Sequence, residues 1–180
     1  MKKLPIYILV DVSGSMDGYP IHTVMHSLEQ LVSDLRSDPR AVEYAYLSVI
    51  TFSDEAHQVV PLTALECFQV PDLMAGGRTA LGPALSLLCE CRDRDLASET
   101  PSYLPIVMIL TDGQPTEGDF NKGVQEFKTR KWGNCACCAI GKEVDLDSLK
   151  RISDDVVQLP GGTDMSSDDF AAFYRKSMRI

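Results

Sequence analysis

Three oxygen-bearing side chains lie close together near the start of the chain, in the segment Asp11-Val12-Ser13-Gly14-Ser15. The segment follows the short apolar run 4–10, which is typical of a strand buried on both faces, so Asp11 is expected at the carboxyl end of a strand. A turn at Gly14 would bring one carboxylate and two hydroxyls toward one point, where they could hold a hard cation. The same residue types are also common turn formers, so this segment alone leaves an ordinary turn open.

A second apolar run, 104–110, also ends in an aspartate, in Thr111-Asp112-Gly113. In chains that alternate strands and helices, ligands bind beyond the carboxyl ends of strands where the strand order reverses. Two buried strands that each deliver an aspartate are suited to flank such a crevice. We therefore expect Asp11 and Asp112 to lie side by side.

A glycine-containing loop, Met74-Ala75-Gly76-Gly77-Arg78-Thr79, precedes a helical pattern. No Gly-Lys-Ser/Thr follows, so the loop is not a phosphate-binding loop. Thr79 is predicted to be the N-cap of the helix. A capping hydroxyl could also lie near a cation.

Apolar periodicity predicts the elements that position these residues. Helices are expected from Ile21 to Leu35, from Leu81 to Cys91, after Asp119 as a cap, around Leu146 to Ile152, and from Ser166 to Lys176; strands are expected at 4–10, 42–52, 56–62, 104–111, 135–140 and 156–159. Pro61 suits an edge strand. With no repeat or low-complexity linker, residues 1–180 are predicted to form one doubly wound α/β domain.

Composition narrows the classes of function. Acidic residues outnumber basic ones by 26 to 17, for a net charge of −9. Without a basic cluster, nucleic-acid binding is disfavoured. No apolar segment approaches the roughly 18 to 20 residues of a membrane span, and no cleavage site follows the first apolar run, so a cytoplasmic location is expected.

Other candidate metal ligands are weaker. His22, His26 and Glu29 would share one helix stripe, but a solvated polar face is the favoured interpretation because hydrolytic zinc motifs place a Glu directly after the first His. The segment Cys135-Ala136-Cys137-Cys138 lacks the two-residue gap of zinc or redox pairs, so its cysteines are predicted to be buried strand thiols. His57 is expected to be exposed on the edge strand.

The set Asp11-x-Ser13-x-Ser15, Thr79 and Thr111-Asp112-Gly113 resembles the metal-ion-dependent adhesion site of von Willebrand factor type A domains. The order of elements is similar over essentially the whole chain. Within that superfamily, Asp-Val-Ser-Gly-Ser-Met and Leu-Thr-Asp-Gly-Gln-Pro-Thr resemble the compact bacterial branch that includes TerY-like tellurium-resistance proteins. The resemblance implies a six-stranded, mostly parallel sheet of order 3-2-1-4-5-6 with one antiparallel edge strand and helices on both faces.

The resemblance also implies roles for the residues. Ser13 and Ser15 would bind Mg²⁺ or Mn²⁺ through their hydroxyls, Thr79 would bind directly when a ligand is engaged, and Asp11 and Asp112 would act mostly through water or a hydrogen bond. Loops beside the site would form a rim that contacts a partner: Asp17, Tyr19, Arg78, Gln114, Thr116 and Glu117. A role in tellurite or stress resistance follows from the resemblance alone.

Electrostatics is consistent with a cation between the aspartates. Two carboxylates about 4 Å apart repel by roughly 4 kcal/mol at an effective dielectric near 20. Mg²⁺ prefers about six oxygens, so a shell built mainly from hydroxyls leaves a position for an Asp or Glu of a protein partner. The predicted function is metal-dependent protein–protein interaction.

The alternative is a Mg²⁺-dependent phosphatase that forms an aspartyl-phosphate. In the haloacid-dehalogenase pattern a second Asp follows two residues after the first, where this chain has Ser13. The general acid is therefore missing beside Asp11, and none of the three histidines falls at a strand's carboxyl end. A non-enzymatic function is expected.

Overall fold

The computed structural model describes residues 1–114 and 119–178. Six strands form one sheet in the order β3-β2-β1-β4-β5-β6. The strands are β1 (Leu4–Asp11), β2 (Ala45–Phe52), β3 (Ala56–Ala64), β4 (Ile106–Thr111), β5 (Asn134–Ile140) and β6 (Asp155–Leu159). All neighbours pair in parallel except β2 and β3, which are antiparallel. The predicted mixed sheet and its strand order are confirmed.

Helices cover both faces of this sheet. They are α1 (Tyr19–Arg36), α2 (Pro39–Tyr44), α3 (Leu81–Leu96), α4 (Asp119–Lys128), α5 (Leu146–Lys150) and α6 (Ser167–Ser177), with single 3-10 turns at Gly14–Met16 and Gly162–Asp164. Within the described residues, no helix is both long and apolar enough to cross a membrane.

The alternation of side chains along β1 builds two cores. Ile6 and Ile8 pack on the face covered by α1 and α6, whereas Tyr7 and Leu9 pack on the face covered by α3, α4 and α5. Every residue of β1 is buried, as the continuous apolar run predicts for a central strand. Burial on both faces fixes the strand's position, and with it the position of Asp11 at its end.

The structure corrects the predicted start of two strands. β2 begins at Ala45 and not at Val42, because the side chain of Asp38 accepts a hydrogen bond from the Arg40 amide and caps the short helix α2. β4 begins at Ile106, after Leu104 and Pro105. β3 continues past Pro61 to Ala64, which an edge strand tolerates because only one side of its ladder is paired.

Candidate metal centre

Asp11 and Asp112 lie at the carboxyl ends of two paired strands. Val10 is in register with Leu110, so β1 and β4 bring the aspartates that follow to the same edge of the sheet. β1 is also the strand at which the order reverses, since its other neighbour is β2. The predicted crevice at the reversal point is therefore present.

The Asp11 carboxylate is fully buried, and its orientation is fixed by hydrogen bonds to both oxygens. The amide of Ser13 donates to Oδ1 at 2.8 Å, and the hydroxyl of Thr111 donates to Oδ2 at 2.7 Å. The Thr111 bond crosses from β4 to β1, so it joins the two strands at the point where the site begins. The sequence reasoning assigned no role to the Thr111 side chain, although its place beside Asp112 at a strand end was a usable signal.

The two serines converge on Asp112. Ser13 Oγ lies 3.2 Å from Ser15 Oγ and donates to Asp112 Oδ1 at 3.5 Å. Ser15 sits in the 3-10 turn Gly14–Met16, which folds the segment back over the end of β1. The structure thus brings together the two hydroxyls and two carboxylates proposed from the sequence.

The hydroxyl of Thr79 also lies at this site, but Thr79 is not the N-cap of α3. A Cβ atom added to Gly113 would lie 2.5 Å from Thr79 Oγ1, which places this hydroxyl against the residue after Asp112. Helix α3 starts at Leu81 with Ala80 as the flanking residue and no side-chain capping bond. The predicted N-cap role of Thr79 is therefore wrong, because the helix begins one residue too late for it.

Backbone hydrogen bonds fix the loop that carries Thr79. The Gly14 amide donates to Gly77 O at 2.9 Å, and the Gly76 amide donates to Val12 O at 2.7 Å. These two bonds tie the 74–79 loop to the serine segment.

Asp54, which the sequence reasoning placed only in a turn, supports the same loop. Its carboxylate accepts a hydrogen bond from the Arg78 amide at 3.0 Å. It also occupies the space where a Cβ on Gly77 would lie, 2.8 Å from Oδ2, and Gly77 has a φ of 83°. Both facts favour glycine at this position. No sequence signal marked this contact, since it joins residues distant in the chain.

The charges of the site fit a bound cation. Burial, followed by the negative charge of Asp11, raises the pKa of Asp112, while a hydrogen bond from Ser15 lowers it. Across residues 1–114 and 119–178, neither Asp11 nor Asp112 forms an ion pair with a basic side chain. The carboxylates and hydroxyls of the site are hard oxygen donors, and such donors suit a divalent ion such as Mg²⁺.

Four of the proposed rim residues, Asp17, Tyr19, Arg78 and Gln114, are exposed. Tyr19 is anchored nonetheless, since its hydroxyl donates to Met165 O at 2.7 Å. The proposed rim residues Thr116 and Glu117 lie outside the described residues.

The weaker metal candidates take the places expected of ordinary residues. His22 and His26 are exposed on α1, and His57 is exposed on β3. Cys137 and Cys138 are buried in β5 as predicted, whereas Cys135, near the start of that strand, is only half-buried. In the part of the chain that the structure describes, no group of three or more His, Cys, Asp or Glu side chains is placed to hold a metal.

The family model of the von Willebrand factor type A domain matches residues 6–172 of this chain. The chain belongs to the von Willebrand factor type A family. The predicted membership is thereby confirmed, and the proposed ligands occupy the strand ends and loops of a type A domain.

Relatives of this type A domain include much longer proteins. Inter-alpha-trypsin inhibitor heavy chain H2 of Mus musculus is 25% identical over 190 residues, which cover 95% of this chain and 19% of that protein. The chain therefore spans about a fifth of the length of the curated relatives it matches first.

Solved structures share the fold. A von Willebrand factor type A protein from Catenulispora acidiphila has a TM-score of 0.70 at 21% identity, over 97% of this chain and 42% of that one. A structure of proximal thread matrix protein 1 from the mussel byssus has a TM-score of 0.68 at 17% identity, over 98% of this chain and 45% of that one. In that structure zinc occupies the MIDAS motif, the metal-ion-dependent adhesion site. At these identities the likeness shows the fold alone.

Proposed function

We propose that this type A domain binds a divalent cation at the site formed by Asp11, Ser13, Ser15, Thr79 and Asp112, in which the buried Asp11 acts through water or a hydrogen bond. The observation that carries the proposal is the 3.5 Å approach of Ser13 Oγ to Asp112 Oδ1 beside the fully buried Asp11. This approach joins the hydroxyls of one loop to the carboxylate of another. The oxygen-only donor set favours Mg²⁺ or Mn²⁺. The zinc reported in the mussel protein makes Zn²⁺ the competitor to test.

We propose further that the bound ion links the domain to a protein partner. A divalent cation held largely by neutral hydroxyls supplies a positive site for a carboxylate oxygen. Ser15 is exposed and Asp112 is half-buried, so an Asp or Glu side chain of a partner could reach this edge of the sheet. The exposed Arg78 would pair with the same incoming carboxylate.

Calorimetry tests the metal site. Titration of Mg²⁺, Mn²⁺ and Zn²⁺ into the wild-type chain should show one site, and Ser13→Ala or Asp112→Asn should weaken binding by at least about tenfold, since second-sphere changes alone cost about 10–100-fold. Ser98→Ala and Asp154→Asn make the same chemical changes at exposed positions near the amino ends of the parallel strands, away from the site. They should leave the affinity for the metal unchanged. Equal affinity in all four variants would overturn the site assignment.

A chelator tests the interaction. Partner proteins captured on the immobilised wild-type domain with Mg²⁺ should be released by EDTA and should not bind Ser13→Ala. Circular dichroism of that variant must remain that of a folded chain. Partners that stay bound in both cases would contradict a metal-mediated interaction.

The phosphatase alternative is disfavoured by the state of Asp11. An aspartate nucleophile needs an accessible oxygen, yet Asp11 is buried and both of its oxygens accept hydrogen bonds. We propose that the domain is not an enzyme. Turnover of phosphomonoesters with Mg²⁺ that is lost in Asp11→Asn would reverse this proposal.

We also propose that residues 1–180 act as a single domain, that the domain works in the cytoplasm, and that it belongs to a TerY-like tellurite- or stress-resistance system. Sensitivity to tellurite after deletion of the gene, with rescue by wild type and not by Ser13→Ala, tests the last of these.

A further inference from the structure

We propose that a cleft beside the candidate metal centre binds an extended segment of a partner protein, in which an acidic residue is accompanied by an apolar and a basic residue. The inference rests on the proposed function, because the acidic residue is the one that would reach the metal. The inference concerns the residues that flank this acidic residue in the partner.

The cleft is continuous with the metal centre. It has a volume of about 720 Å³ and opens between the candidate site and the loops that follow β5 and β6. Ser15 and Asp112 line it, so one wall of the cleft is made by the proposed metal ligands themselves. Its volume falls within the range of about 300–1,000 Å³ typical of ligand clefts. A chain whose carboxylate reached Ser15 and Asp112 would therefore run along this cleft.

The lining of the cleft is mostly apolar. Ile140 and Met165 are buried in it, while Leu159 is half-buried and Pro160 exposed. Two glycines let the loops after β5 and β6 pack closely at the cleft, since a Cβ added to Gly161 would lie only 3.0 Å from Gly141 Cα. Because Ile140 and Met165 are already buried, an apolar side chain of the partner would cover the accessible parts of Leu159 and Pro160 and remove them from water.

The charges on the cleft favour a basic residue. Among the described residues that line it, Glu143 and Asp164 are acidic and Lys142 is basic, and all three side chains are exposed. None of the three forms an ion pair with another residue of the described ranges. The chain also carries a net charge of −9, which repels a partner that presents only carboxylates. A Lys or Arg near the acidic residue offsets this repulsion and can pair with Glu143 or Asp164.

A peptide array tests the proposal. The probe is a set of immobilised peptides with one fixed Asp and about four varied positions on each side, the reach of an extended chain along such a cleft. It is read with the fluorescently labelled domain in Mg²⁺ and again in EDTA. We expect Mg²⁺-dependent binding that is strongest for peptides with an apolar and a basic residue on the same side of the Asp.

Charge variants of the cleft identify the contact. Glu143→Gln or Asp164→Asn should reduce the preference for Lys or Arg about two- to fivefold, the size expected of an exposed ion pair. Glu143→Lys should shift the preference toward Asp or Glu. Glu66→Gln changes the net charge by the same amount as Glu143→Gln or Asp164→Asn. Glu66 follows the end of β3 that pairs with the start of β2, away from the carboxyl ends of the parallel strands, and its substitution should change nothing.

The outcomes separate this inference from the proposed function. Metal-dependent binding with no apolar or basic preference, or a preference unchanged in the cleft variants, would overturn the inference and leave the metal-mediated interaction standing. Normal Mg²⁺ affinity by calorimetry with no peptide bound would also overturn the inference. If the wild-type chain binds neither Mg²⁺ nor any peptide, the proposed function itself is overturned.

Discussion

Thr111 shows how a single hydroxyl can support the whole candidate site. It donates to the buried Asp11 at 2.7 Å, and its Oγ1 accepts a hydrogen bond from the Gly113 amide at 3.3 Å. Thr111 itself is 1% exposed, so water cannot replace the bond to Asp11. The residue therefore positions the carboxylate without being one of the proposed ligands.

Replacing Thr111 by Val should lower stability and metal affinity together. The variant keeps the shape of the side chain and removes the donor, which leaves a buried carboxylate oxygen unpaired at a cost of about 1–3 kcal/mol in the free energy of unfolding. Urea denaturation without metal measures the cost. The same change at exposed Thr100 should alter stability by less than about 0.5 kcal/mol.

Gly113 should be needed for Thr79 to reach the site. In Gly113→Ala, the new Cβ would lie 2.5 Å from Thr79 Oγ1, so this hydroxyl must move away from residue 113. We expect Mg²⁺ or partner binding to weaken by about tenfold, as with other changes that displace a supporting contact. Gly76→Ala is the matched control, because its Cβ would meet nothing within 4 Å. Equal binding in the two variants would contradict a role for the Thr79 hydroxyl.

At the scale of the elements, helices α3 and α4 meet backbone to backbone through two glycines. A Cβ on Gly123 would overlap Gly82 O, and one on Gly82 would overlap the backbone of Asp119. Small residues at this contact let the two helices cover the same face of the sheet at close range.

Gly123→Ala should therefore destabilise the protein although alanine is the better helix former. Alanine gains about 0.8–1 kcal/mol of helix propensity over glycine, but overpacking of a close contact typically costs about 1–3 kcal/mol. We expect a net loss in urea denaturation. Asn121→Ala, at an exposed position of the same helix, should be neutral or slightly stabilising. A more stable Gly123→Ala protein would show that the helices separate without cost.

The elements that the sequence predicts well are those with a strong local pattern. β1 and β4 follow from their unbroken apolar runs, and α1 follows from its three- and four-residue spacing. The start of β2 was missed because the apolar pattern runs on through Val42, while the Asp38 cap and Pro39 favour a short helix there. The strand ends then placed Asp11 and Asp112 together, since parallel pairing aligns their carboxyl ends.

The contacts that sequence reasoning missed join distant residues. Asp54 supports Gly77 and Arg78 from a different loop, and nothing in its local sequence marks this. The cleft beside the site was missed for the same reason, since its lining comes from the loops after β1, β4, β5 and β6. Periodicity describes one element at a time, whereas these features arise when several elements pack.

At the scale of the whole molecule, the burial of the cysteines shows which parts of the fold exclude solvent. The chain has six, of which Cys67 is exposed, Cys135 half-buried and the other four buried. Burial raises the pKa of Cys89 to about 11, and it also raises the pKa of Cys138. Their thiols stay protonated near neutral pH, which suppresses their reaction as nucleophiles.

Thiol labelling should follow this order. At pH 8 the native protein should react quickly at Cys67, more slowly at Cys135, and at the four buried thiols only after unfolding in denaturant. Because the folded pKa of Cys89 lies at about 11, raising the pH from 7 to 9 should leave this thiol unlabelled. Mass spectrometry of the labelled peptides identifies each site. Rapid labelling of Cys89 or Cys138 in native protein would contradict the closed core.

Two backbone hydrogen bonds join residues 12–14 to residues 76–77, so we expect the two loops that carry the proposed ligands to open together. Neither loop can lift from the sheet edge without exposing the amides of Gly14 and Gly76 to solvent. Hydrogen–deuterium exchange at these two amides should therefore proceed at a common rate and slow in parallel when Mg²⁺ is added, because an ion that holds both loops opposes the shared opening.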